Sequence, residues 1–219
     1  MKFLSMADFS SGMYAIGVKD HEKLSACIAT AVMVIGSQEP PLVAVSINRS
    51  NYSDRCIEES GLFTISLLSE NTPGFVIGAL GLTSGAHGGK LENIRHRVLV
   101  EGVPIIKESC CCWFLCRVKH KSETSTQSLY IAEILAGSEE TVGTPMTLDF
   151  YRTRLKGVIP KNAPMYLSPE HMPKWEDEQS FACSVCGYVY SHKNMAFEEL
   201  PEDWLCPVCK MPKKVFVRR

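Results

Sequence analysis

No stretch of this chain is apolar for long enough to cross a bilayer. The longest such run, CIATAVMVIG at residues 27–36, is about half of the ~20 residues a spanning helix needs, so no membrane association is expected. The opening MKFLSMADFSSG lacks the extended apolar segment and small-residue cleavage pattern of a secretory signal, and a cytoplasmic chain is expected. Charge of one sign is lacking too. Lys and Arg number 23 against 24 Asp and Glu, a formal charge of −1, and without a long basic run nucleic acid is not an expected partner. No G-x-G-x-x-G follows a strand-like segment. The nearest glycine cluster is TSGAHGGK at 83–90, which argues against a Rossmann or Walker-type phosphate loop. Internal repeats and low-complexity tracts are absent.

What is present is an ordinary globular composition: 219 residues, 45% hydrophobic and 21% charged. Up to about residue 160 the chain alternates short apolar runs with turn residues: YAIGV, PLVAVSI, GLFTISLL, CCWFLCRV and SLYIAEIL. Their richness in Val, Ile, Phe, Tyr and Cys, often alternating, predicts strands. SDRCIEES predicts a short helix over 53–60, with Ser53 as its N-cap and Ile57 facing inward. NTPGFVIGALG predicts a second. Many strands and few helices predict a mainly β fold, a barrel or sandwich. Prolines at 160, 164, 169 and 173 then favour extended chain. The expected division is a domain over 1–160, a proline-rich linker over 161–179, and a small unit over 180–219.

Ten cysteines in a cytoplasmic chain predict metal ligands, redox groups or buried small side chains before disulfides. Four fall in two C-x-x-C pairs, Cys183 with Cys186 and Cys206 with Cys209. Each pair can present two thiolates from one tight turn, and two such turns close a tetrahedron. Four-sulfur tetrahedral sites hold zinc or iron, and the spacing does not separate them. A unit of about 40 residues also stands at the limit of unaided folding and gains from a metal. Tyr188, Tyr190, Phe197, Trp204 and Phe216 supply an aromatic shell that excludes water and tunes redox potential, which a structural zinc does not require.

CSVCGYVY, LPEDWLCPVC and the closing K-x-x-F at 213–216 resemble rubredoxin. That resemblance implies one iron on Cys183, Cys186, Cys206 and Cys209, cycling between ferric and ferrous. Lys210 departs from it, since rubredoxins usually place glycine after the second pair, which leaves the second turn's geometry open. A one-electron iron cannot accept a hydride, whereas a flavin takes two electrons and releases them singly. The fusion itself therefore predicts a flavin domain.

The stretch CIATAVMVIGSQEPPLVAVSINRSNYS at 27–53, followed by SGLFTISLLSE, then SGAHGGK, then YRTRLKGVIPKNAPMY at 151–166, resembles the flavin reductase-like, FMN-binding split-barrel family. The resemblance implies FMN against a strand at Thr30, Ala31 and Val32. It implies a phosphate near Ser46, Asn48, Asn51 and Ser53, with Ser84, Gly85 and Lys90 on a neighbouring loop. Amide and hydroxyl donors suit phosphate oxygens, and Lys90 adds charge; Asn and Ser also favour turns without any ligand. Ala86 and His87 depart from the basic residue and aspartate usual in that loop. The domain order resembles the high-molecular-weight rubredoxins of anaerobic bacteria. This implies an oxidoreductase passing electrons from NAD(P)H through FMN and iron to a flavodiiron protein, and a homodimer. Alternatives are a reductase that releases reduced flavin to a separate oxygenase, and an FMN-binding module with a zinc ribbon.

No general acid or base is expected, because hydride transfer needs alignment more than a proton shuttle. In SCCCWFLC at 109–116, a strand would turn Cys110, Cys112 and Cys116 one way and Cys111 the other. With no C-x-x-C there, packing is the expectation.

Overall fold

A computed structural model of the chain describes residues 9, 11–155, 157, 159–160, 163–164, 166, 181–183, 188–190, 195–207 and 211–218. Its elements are β1 (Tyr14–Asp20), β2 (Lys23–Ala29), β3 (Val32–Gly36), β4 (Leu42–Asn48), α1 (Tyr52–Ser60), β5 (Leu62–Leu68), α2 (Gly74–Gly81), β6 (His96–Val98), β7 (Pro104–Ile106), β8 (Cys110–Glu123), β9 (Gln127–Gly137), α3 (Leu148–Thr153), β10 (Phe181–Cys183), β11 (Val189–Tyr190) and β12 (Phe216–Arg218). All five apolar runs read as strands lie in strands. The mainly β expectation holds.

Seven strands form one antiparallel sheet in the order β2-β1-β5-β8-β9-β4-β3. Its two edges, β2 and β3, are joined only by Thr30 and Ala31. In a flat sheet, six strand spacings of about 4.8 Å would hold those edges roughly 29 Å apart. The three peptide steps from Ala29 to Val32 reach at most about 11 Å. The sheet must therefore curl until its edges approach at this link, and Ser46 N donates to Ala31 O at 2.9 Å, carrying the β3–β4 pairing up to it. The result is a barrel.

The curl gives β1 two buried faces. Ile16 and Val18 point into the barrel with Val45, Ile57, Phe63 and Tyr130. Met13 and Ala15 point outward, where α2 and residues near α3 cover them with Val76, Leu80, Leu148 and Tyr151. Full burial of a side chain such as Phe63 or Ile57 stabilises by roughly 1.5–3 kcal/mol. Gly17 interrupts this face because β7 crosses it: a Cβ there would lie 2.0 Å from Pro104 O. Thr64 Oγ1 donates to that carbonyl, and Ile106 N donates to Ser66 Oγ at 3.0 Å, which fastens β7 to the sheet.

Two local expectations change. Helix α1 starts at Tyr52 with Asn51 as its N-cap, so Ser53 lies inside the first turn. Asn51 takes the capping place because Asn51 N donates to Asn48 O at 2.9 Å, closing a turn before Ser53 is reached. Ile57 is buried as expected. Bulges between Leu67 and Leu68, and between Leu115 and Cys116, break the strict alternation expected for the cysteine-rich strand. Cys111, Cys112 and Cys116 are all buried. Burial pushes the Cys116 thiol up to about 12 and Cys110 up to about 11, so these are packing groups rather than thiolates.

The second unit holds a three-stranded sheet, β11-β10-β12. Most of 161–179 lies outside the described residues, but Ala163 and Tyr166 pack against the barrel's outer core. Among the described residues no helix is long and apolar enough to cross a membrane.

Candidate functional site

A cavity of about 330 Å³ opens where β2 ends, lined by the β4–α1 turn, the C-terminal half of α2, the loop after it and residues near 159–164. That size suits a small-molecule cofactor. Thr30, Ser46, Asn48, Asn51, Ser53, Ser84, Gly85 and Lys90 all line it. Ala31 and Val32 do not. The segment expected as a flavin-facing strand is instead the break between β2 and β3, which turns Thr30 inward and sends Val32 into the next strand.

Thr30 is only 8% exposed, and its Oγ1 has no hydrogen-bond partner among the described residues. Ser25 Oγ, earlier on β2 and outside the cavity lining, is in the same state. Buried hydroxyls without partners are rare and costly, about 1–3 kcal/mol each. Thr30 is therefore poised for a ligand that accepts or donates a hydrogen bond.

The β4–α1 turn is built by Asn48, whose Oδ1 accepts from Ser50 N at 2.9 Å and from Ser50 Oγ at 2.6 Å. Asn48 thus does turn chemistry while it lines the cavity. The turn aims the N-terminus of α1 at the cavity, and that end lacks a side-chain cap. Asp54 N donates back to Asn51 O at 3.0 Å, and the helix dipole with the remaining first-turn N–H groups favours an anion there. On the facing loop, Ser84 Oγ accepts from Ala86 N at 3.3 Å. Gly85 is required by space: a Cβ would lie 2.5 Å from Ser25 Oγ and 2.6 Å from Tyr52 Cδ1. Tyr52 is held in place by donating its hydroxyl to Asp20 Oδ2 at 2.5 Å, and Arg55 Nη2 donates to the same oxygen at 2.7 Å.

Lys90 departs from its expected role as an open phosphate cation. It is 9% exposed, and Nζ donates to Ala26 O at 2.9 Å and Leu80 O at 2.8 Å. It clasps the C-terminal end of α2 to β2 while still bordering the cavity. Burial pushes its pKa below the ordinary lysine value, opposed by the nearby Cys27. Cys27, itself in the cavity wall, is pushed up by burial, against the Ser53 hydroxyl and the Lys90 charge.

Sequence reasoning missed Tyr52, Cys27 and the apolar wall of Ile77, Leu80, Tyr151 and Ile159. The motif-like NRSNYS could have suggested Tyr52. The apolar wall carries no signal beyond ordinary core composition. The side chain of His87 lies outside the described residues.

In the second unit Cys183 and Cys206 are 2% and 0% exposed; Cys186 and Cys209 lie outside the described residues. The two turns are alike. Cys183 N donates to Tyr188 O, and Cys206 N donates to Met211 O, each at 2.8 Å and each five residues on. Lys210 itself lies outside the described residues. Around them Phe197 stacks on Phe181 at 4.3 Å and meets Phe216 at 5.0 Å, while Trp204 packs edge-on to Tyr190 and Phe216. The closing K-x-x-F has a physical reading. Lys213 Nζ donates to Glu198 O and Leu200 O at 2.9 and 2.7 Å, and Phe216 pairs with Cys183 in the sheet.

Comparison with known proteins agrees with both halves of this geometry. Residues 6–158 match the flavin reductase like domain, and residues 180–216 match rubredoxin. The chain belongs to the flavin reductase-like family. It also carries a C-terminal rubredoxin domain, and its cofactors are a flavin and iron held by cysteines. High molecular weight rubredoxin of Moorella thermoacetica is 28% identical over 216 residues, covering 94% of each chain. Ferric-chelate reductase (NAD(P)H) of Archaeoglobus fulgidus is 24% identical over 157 residues, 72% of this chain and 92% of that one. Among solved structures, a flavoredoxin from Methanosarcina acetivorans covers 85% of this chain and 87% of its own, with 19% identity and a TM-score of 0.54. An FMN-binding protein from Thermus thermophilus covers 60% and 73%, with 20% identity and a TM-score of 0.54. These structures share the fold.

Proposed function

We propose that this flavin reductase-like protein takes electrons from NAD(P)H at the cavity and passes them to the rubredoxin iron. From there they go to an acceptor such as a flavodiiron oxygen or nitric oxide reductase. The observation that carries this reading is the joining, in one chain, of a cavity walled by the buried unpartnered Thr30 hydroxyl to a cysteine unit wrapped in aromatic rings. The Moorella rubredoxin and the Archaeoglobus NAD(P)H ferric-chelate reductase support the iron and NAD(P)H parts respectively.

FMN bound in the cavity supplies two-electron uptake with one-electron release, which iron alone cannot do. Thr30 Oγ1 is placed to hydrogen-bond it. The first turn of α1, with Asn51 and Ser53, and the Ser84–Gly85 loop are placed to hold its anionic end. Lys90 keeps a positive charge close by while fixing α2. Ile77, Leu80 and Tyr151 exclude water from one side. Cys183 and Cys206, with Cys186 and Cys209, hold the iron, and the aromatic shell keeps water from it. No side chain is assigned as general acid or base.

A homodimer fits the edge strand β3. Its Met33, Val34 and Ile35 are 61, 67 and 42% exposed. An uncovered apolar edge strand invites pairing with another chain, and a second copy is the occupant this reading names.

Anaerobic stopped-flow mixing with NADH or NADPH is the test. Flavin absorbance should fall first and ferric-thiolate absorbance second, with flavin staying bound. Flavin that leaves in reduced form while iron stays ferric would overturn the reading.

A further inference from the structure

The rubredoxin domain must meet the flavin site somewhere, and two separate features of the described residues locate that meeting. The first is the root of the tether. Ile159, Pro160, Ala163 and Pro164 line the cavity, and Tyr166 packs on the outer core beside them. The chain therefore leaves the flavin domain from the cavity wall. From Tyr166 to Phe181 is fifteen peptide steps, which span at most about 50 Å. That reach alone would admit the flavin of either protomer.

The second feature discriminates between them. Phe75, half-buried near the start of α2, packs against the outer core of the barrel. It also packs against the aromatic cluster that contains Cys183 and Cys206. Further along the same helix, Ile77, Leu80 and Gly81 line the cavity. From Phe75 to Gly81 the helix rises about 9 Å. One short helix thus touches the cysteine cluster near one end and the cavity with its remainder.

We propose that the N-terminal end of α2, with Phe75 as its apolar contact, is the surface on which the rubredoxin domain of the same chain docks to receive its electron. This rests on the electron-transfer reading above. The contact is small, as electron-transfer encounters are. A tether of this length supplies an effective concentration in the millimolar range, so a weak contact is occupied and still releases the domain to an external acceptor. Each docking carries one electron and no atoms, taking the iron from ferric to ferrous. The two electrons of one hydride need two dockings, with the iron reoxidised by the external one-electron acceptor between them.

The test uses the full chain loaded with FMN and iron, reduced by NAD(P)H under anaerobic stopped flow. Flavin reduction and iron reduction are followed separately at several protein concentrations. Wild-type iron reduction should be independent of concentration. Phe75→Glu should slow it at least tenfold, with FMN affinity and flavin reduction unchanged; Phe75→Leu should stay near wild type. If the Glu variant does not fold, Phe75→Ala carries the test, with slowing of severalfold expected. Iron reduction at the wild-type rate in Phe75→Ala or Phe75→Glu would overturn the proposal. So would a wild-type rate that rises with concentration, which means transfer between molecules. Wild-type iron that stays ferric after flavin reduction would instead overturn the electron-transfer reading beneath it.

Discussion

Replacing Thr30 by valine should have opposite effects on the flavin-free and flavin-loaded protein. The substitution keeps the branched outline and exchanges the hydroxyl for a methyl group. In the flavin-free chain Oγ1 is buried with no partner, and a buried unsatisfied hydroxyl costs about 1–3 kcal/mol. Thr30→Val should therefore stabilise the flavin-free barrel by about 1–2 kcal/mol. For a domain of about 150 residues, that raises Tm by roughly 2–8 °C. On the proposed reading FMN satisfies the hydroxyl on binding, so the same free energy is lost from affinity in the variant. FMN affinity should fall by about 1–2 kcal/mol, or roughly 5- to 30-fold. Differential scanning fluorimetry of the flavin-free protein and fluorescence titration with FMN measure the two halves. A variant less stable without flavin that binds FMN at wild-type affinity would refute the reasoning. It would show that Oγ1 is satisfied without flavin.

Four further outcomes follow from the same geometry. Gly85→Ala should drive a methyl group into Ser25 Oγ and the Tyr52 ring, displacing the loop and weakening FMN binding by tenfold or more in titration. Cys206→Ser should abolish ferric-thiolate colour and lower the thermal stability of the rubredoxin domain, while equilibrium dialysis still finds stoichiometric flavin. The Tyr52 hydroxyl, and after it the Arg55 charge, hold Asp20 below the ordinary carboxylate range. Its stabilising contribution is thus full above the unfolded pKa near ~3.9 and fades as pH falls through the lower folded value. FMN release as pH falls below about 4 should be less steep in Asp20→Asn, as a pH titration of flavin fluorescence would record. Val34→Lys, on the exposed edge of β3, should shift the protein toward monomer in analytical ultracentrifugation without unfolding the barrel.

The sequence by itself determined the domain order, the strand-rich first unit and the metal chemistry. These are carried by local signals. Two C-x-x-C pairs define a four-sulfur ligand set wherever the chain folds. Runs such as LVAVSIN, buried on both faces of a curled sheet, leave a near-continuous apolar mark. The polar lining from Ser46 to Ser53 was legible for the same reason, since one turn and one helix start bring it together. Only the tertiary structure decided that Thr30 lies at a break between strands rather than in one. Barrel closure, a constraint between edges, imposes that break where the local sequence is uniformly apolar. Nor could sequence show that Lys90 is enclosed by Ala26 O and Leu80 O, carbonyls sixty-four and ten residues away. A lysine after Gly-Gly reads as exposed until the fold covers it. The apolar wall from α2 and residue 159 was hidden because core and cofactor contact use the same side chains. Phe75 shows this most clearly: nothing in GFVIGALG separates a residue that packs inward from one that also touches the metal unit.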